Sequence, residues 1–162
     1  MTKNILALID FSRTSNQVVT RAGDLALFYD AKCWLIHVAT PDPEFVGYEV
    51  GPQYIRDHRA DVLKEEHHKL QGYKAELLQK NIDCETLLVQ GQTNATIMAE
   101  VDKLQIDMIV LGSHGRTRLY DLLVGSVCEY LLRYAPVPLV IIPGPKCKEK
   151  GAKRMGTGRG KG

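Results

Sequence analysis

Asp107-Met108-Ile109-Val110-Leu111-Gly112-Ser113-His114-Gly115-Arg116 is an apolar run of strand length that closes on one glycine and meets a second three residues later. A third, Gly125, follows ten residues on and stands directly before Ser126, where a segment of helical period reaching about Tyr134 begins. A short, continuous apolar run fits a parallel strand covered on both faces. Gly112 and Gly115 let the backbone bend and approach a ligand with no Cβ in the way. Gly125 and Ser126 open a helix whose unbonded N–H groups and positive dipole end suit a phosphate, and the Ser126 hydroxyl adds a donor. Arg116 and Arg118 place positive charge beside it.

The same alternation extends outward in both directions. Lys3 to Ile9 is a near-continuous apolar run ending at Asp10, and from Thr14 the apolar residues Val18, Val19, Ala22, Leu25, Ala26 and Tyr29 fall on one helical face. Cys33 to Val38 forms a second run, followed by a Pro- and Gly-rich stretch to Pro52. Tyr54 to Asn81 reads as a long charged helix with Ile55, Val62, Leu70, Tyr73, Leu77 and Leu78 as its buried stripe. Cys84 to Val89 is the third run, and Thr93 or Asn94 caps a helix carrying Ile97, Met98, Val101 and Leu104. Val137 to Ile142 is the last run. Strands alternating with helical crossovers predict a single doubly wound α/β domain, with a five-stranded parallel sheet in the order 3-2-1-4-5 and helices on both faces. That order reverses between the first and fourth strands, and ligands bind in the crevice at such a reversal. Asp10 and Gly112 flank it.

Composition is that of an ordinary globular chain: 44% hydrophobic and 25% charged residues in 162. The N-terminus lacks the pattern of a signal peptide, and no apolar stretch approaches bilayer length, so a cytoplasmic protein without membrane attachment is expected. Cys33, Cys84, Cys128 and Cys147 form no C-x-x-C pair and read as reduced thiols. The net charge of +2 hides an asymmetry: residues 146–162 hold seven Lys or Arg against one Glu, and the body is acidic. The division expected is a domain over 1–145 and a basic, disordered tail over 146–162, read as a solvated segment and not a specific nucleic-acid site.

No Gly-Lys-Ser or Gly-Lys-Thr follows the glycines, so this is not a Walker loop, nor is it G-x-G-x-x-G. The pattern G-x2-G-x9-G-[ST], with Asp10-Phe11-Ser12-Arg13-Thr14-Ser15 after the first strand, His37-Val38 at the end of the second and Pro136-Val137-Pro138 before the last, resembles the ATP-binding branch of the universal stress protein family over residues 3 to 143. The resemblance implies a nucleotide site for ATP (or AMP or ADP), with or without Mg2+. In it Asp10 holds the ribose hydroxyls, Val38 lines the adenine pocket, and Gly112, Gly115, Gly125 and Ser126 surround the phosphates. Ile9, Ser113, His114, Arg116 and Val127 complete the lining. It also implies a homodimer through the edge strand Val137 to Ile142. Two positions depart from the family pattern: Arg118 replaces a common Gly, and Cys128 replaces a small residue or Thr.

His58, His67 and His68 lie in the charged helix, but neighbours about 100° apart cannot share one ligand face, so a solvated surface is expected. His37 reads as a satisfied core or pocket histidine. Fast hydrolysis needs a positioned water and a metal-holding carboxylate, and with Asp10 committed to ribose only Asp121 is near. A nucleotide-occupied switch or sensor, hydrolysing slowly or not at all, is the reading. The alternative is a dimeric scaffold that regulates a protein partner without nucleotide. A phosphoryl-transfer enzyme lacks a nucleophile here, and a receiver domain lacks the acidic pair.

Overall fold

The computed structural model describes residues 3–40, 53–114 and 124–144. Along the chain run β1 (Lys3–Leu8), α1 (Ser15–Tyr29), β2 (Ala31–Ala39), α2 (Gln53–Gln79), β3 (Cys84–Gln90), α3 (Thr93–Lys103), β4 (Met108–Gly112), α4 (Ser126–Tyr134) and β5 (Leu139–Ile142). The five strands form one sheet in the order β3-β2-β1-β4-β5, every pair parallel, as the sequence predicts.

Strand side chains alternate between faces, and the core divides accordingly. Ile5, Ala7 and Ile9 join Cys33, Leu35 and Val110 in a cluster with Val18, Val19, Ala22 and Ala26 of α1 and Leu70 and Leu77 of α2. Leu6, Ile36 and Ile109 turn the other way, against Ile97 and Val101 of α3 and Cys128 and Leu131 of α4. Leu6 and Leu35 are fully buried, each contributing about 1.5–3 kcal/mol relative to exposure. Both faces are therefore covered, which is why β1 and β4 show no polar alternation.

At the N-terminal ends of the strands the polar groups satisfy one another. The Asn4 amide donates to Asp107 Oδ2 at 2.7 Å, and the Asp107 amide donates back to the Asn4 carbonyl at 2.8 Å. Trp34 Nε1 donates to Asn4 Oδ1 at 3.1 Å. Cys33 and Cys84 are paired in register across β2 and β3, both buried and free. Its bond to Cys84, together with burial, pushes the Cys33 thiol far above its ordinary range. Such a thiol is inert as a nucleophile. Cys147 and the tail lie outside the described residues.

Two local expectations fail. Val62 and Leu78 of α2 are exposed, at 39% and 48%, while Glu66 of the same helix is buried. Nor does Thr93 or Asn94 cap α3: the cap is Gln92, with no side-chain bond to the helix, and the backbone Thr96 amide bonds to the Gln92 carbonyl at 2.9 Å.

Candidate functional site

A cleft of about 740 Å³ opens at the carboxyl ends of β1, β2 and β4, within the roughly 300–1,000 Å³ typical of small-molecule sites. It lies where the chain reverses across the sheet, because β1 is flanked by β2 on one side and β4 on the other. Ile9, Asp10, Val38, Gly112, Ser113, His114, Gly125, Ser126 and Val127 all line it. Gly115 and Arg116, with Arg118 and Asp121, lie outside the described residues.

The turn after β1 gives the D-x-S-x-x-S spacing a physical meaning. Phe11 takes a left-handed φ of 58°, uncommon for a residue with a large side chain. Asp10 Oδ1 accepts the Ser12 amide at 3.0 Å and the Ser15 hydroxyl at 3.1 Å. The carboxylate therefore holds the bend against the first turn of α1. A carboxylate offers about four acceptor positions, so these bonds leave it capacity toward the cleft.

Ser113 ties the opposite rim together. Its amide donates to the Ile142 carbonyl at 2.8 Å, its carbonyl accepts the Gly125 amide at 2.7 Å, and its hydroxyl accepts the Gly144 amide at 3.0 Å while lying 2.8 Å from His114 Nδ1. One residue thus joins the ends of β4 and β5 to the start of α4. A Cβ on Gly112 would lie 3.3 Å from Thr14 Cγ2, so glycine there lets β4 close against the turn before α1. The Gly125 amide is consequently turned inward, and it is the amides of Ser126, Val127 and Cys128 that lack acceptors within α4. Burial pushes the Cys128 thiol up, so that position adds no negative charge beside those amides.

α2 forms the other wall, and sequence reasoning missed it. His37 Nδ1 is 2.7 Å from the Ile9 carbonyl, and its Nε2 is 3.3 Å from Glu66 Oε1. A carbonyl only accepts, so Nδ1 carries hydrogen, and the contact of Nε2 with the carboxylate holds when a further hydrogen lies between them. β1, β2 and α2 are thereby linked beneath the cleft, with the Phe11 ring 4.6 Å from that of His37. His37 is the satisfied pocket histidine anticipated. His58 lines the cleft with Arg56 and Arg59, whereas His67 and His68 are exposed elsewhere. Among the described residues no group of three or more His, Cys, Asp or Glu is placed to hold a metal ion. No helix among them is long and apolar enough to cross a membrane.

The model of the family described as "Universal stress protein family" matches residues 1–143. The chain belongs to the universal stress protein family. A universal stress protein of Methanocaldococcus jannaschii is 28% identical over 145 residues, covering 89% of this chain and 84% of that one. The solved structure of a second universal stress protein from the same archaeon superposes with a TM-score of 0.78 at 24% identity, covering 91% of this chain and 99% of that one. A family member from Arabidopsis thaliana, solved with AMP bound, matches at a TM-score of 0.58 and 20% identity, covering 87% and 91%. At those identities the two structures establish the universal stress protein fold for this chain.

Proposed function

We propose that this universal stress protein binds an adenine nucleotide, ATP foremost, in the cleft at the ends of β1, β2 and β4, and acts as a nucleotide-occupied switch or sensor. The observation that carries the reading is the meeting of Asp10, Val38 and the start of α4 in one cavity. Asp10 accepts the ribose hydroxyls, Val38 and Ile9 lie against the base, and the phosphates sit at the Ser126 hydroxyl and the Ser126, Val127 and Cys128 amides. Gly112 and Ser113 shape that rim. Gly115, Arg116 and His114 are assigned to the phosphate side. The Arabidopsis relative's AMP supports the class of ligand.

The protein's own contribution to Mg2+ is small. Of the carboxylates lining the cleft, Glu66 is engaged with His37 and Asp10 with its own turn. An ion arriving with ATP would be held mainly by phosphate oxygens and water. With no base positioned for a water, hydrolysis is slow or absent. The same reading places the protein in the cytoplasm, with a domain over 1–145 and a basic tail over 146–162. A homodimer through residues 137–142 accounts for β5 standing at the sheet edge. Leu132 and Tyr134 of neighbouring α4, 56% and 60% exposed, extend that surface.

Native mass spectrometry of freshly purified protein tests the reading: adenine nucleotide released on denaturation supports it, and empty protein that also fails to take up added ATP sinks it. Asp10→Ala should lower nucleotide affinity roughly 10- to 100-fold, the range expected for bonds to a charged acceptor. Sedimentation at micromolar concentration should give a dimer.

A further inference from the structure

The positive charge of α2 is divided by residue type. Lys64, Lys69 and Lys74 each pair with a carboxylate, of Asp61, Glu65 and Glu85 respectively. Arg56 and Arg59 have no carboxylate partner among the described residues, and both line the cleft. Arg59 is not adrift: its Nη2 donates to Gln90 Oε1 at 3.1 Å, at the last residue of β3. A guanidinium has five donors in a fixed fork matched to phosphate, so one bond to Gln90 orients the group and leaves most of its donors.

The sheet order fixes where this charge stands. The anion-binding start of α4 belongs to the β4 side, through the Gly125 to Ser113 bond, while Arg59 belongs to β3, three strands away in the order β3-β2-β1-β4. At about 4.8 Å per strand this is roughly 14 Å, a gap the long arginine side chain narrows. A mononucleotide with its phosphate at α4 and its base at Val38 leaves the two arginines unused.

We propose that the cleft selects a nucleoside bearing phosphoryl groups on both sides of its ribose, the 3′,5′-bisphosphate pattern, with Arg56 and Arg59 binding the 3′ group; this rests on the nucleotide reading above. Asp10 then accepts the 2′ hydroxyl. The pattern occurs in a free bisphosphate and within a linear dinucleotide.

Isothermal titration with AMP, adenosine 3′,5′-bisphosphate and the linear dinucleotide pApA decides the matter. The wild-type protein should bind the bisphosphate at least tenfold more tightly than AMP. In Arg56→Ala/Arg59→Ala that preference should fall below threefold, and Arg59→Lys, which keeps the charge and folds as the parent, should retain part of it. If pApA binds more tightly than the free bisphosphate, the dinucleotide is the source; if more weakly, the free bisphosphate is. AMP binding with no preference for the bisphosphate, or a preference that survives the double substitution, overturns this inference alone. Failure of every adenine nucleotide to bind overturns the underlying reading and this one with it.

Discussion

α1 and α2 pack on the same face of the sheet, yet they use their inner surfaces differently. Inside α1 lie Ser15, Val18, Val19, Ala22, Gly23 and Ala26, small or apolar residues at helical spacing. α2 is 27 residues long and buries only Glu66, Leu70 and Leu77. Its C-terminal half is core, and its N-terminal half is the wall of the cleft. A helix whose inward residues turn polar part-way along has left the core for a site, and the change falls at Glu66, opposite His37.

That contrast can be broken most severely where α2 is still core. Leu77→Ala removes a side chain 1% exposed and should cost about 2–5 kcal/mol in urea unfolding, whereas Leu78→Ala beside it should stay within about 0.5 kcal/mol. Equal losses at the two positions would mean that α2 packs in another register. Next comes the buried carboxylate: Glu66→Leu leaves His37 Nε2 facing an apolar group and should cost about 1–3 kcal/mol, while Glu66→Gln can still donate to it and should recover most of that. Thermal melts of the pair will show it.

A smaller effect is expected where the helices touch. A Cβ on Gly23 of α1 would lie 2.7 Å from Leu77 Cδ2. Gly23→Ala should therefore change stability by about 0–2 kcal/mol, overpacking of about 1–3 kcal/mol being offset by about 1 kcal/mol of helix propensity. In the Leu77→Ala background the same change should stabilise, and simple additivity would deny the contact.

The smallest effect concerns the outer edge of α2. Lys74 Nζ lies 2.7 Å from Glu85 Oε2, and that bond holds the Glu85 carboxyl below its ordinary range. A carboxyl depressed in the folded state contributes stability above its unfolded pKa that is lost as pH falls through the folded one. Glu85→Gln should slightly flatten the acid side of the pH–stability curve and leave neutral pH nearly unchanged, because the pair is exposed and screened.

How much of this was legible follows from where each signal is written. Ser126 to Tyr134 and the strand order could be read directly, because period and glycine placement act locally and the crossover rules do the rest. Asp10 was legible as a strand-end carboxylate. Its bond to Ser15 was not, since the left-handed Phe11 that creates the turn carries no glycine to announce it. Glu66, Arg56 and Arg59 sit among Asp57, Asp61, Lys64 and Glu65 in a segment charged on every side, so nothing local separates the residues facing the cleft from those facing water. The inward Gly125 amide depends on Ser113, twelve residues away in the chain.

The most direct test of the central claim is an amide NMR titration of the protein with AMP and ATP. The account predicts saturable shifts concentrated at Asp10, Val38, Ser113, Ser126 and Val127, with the N-terminal end of the sheet around Asn4 and Asp107 unmoved. Shifts confined to that opposite end, or none at saturating nucleotide, would contradict it.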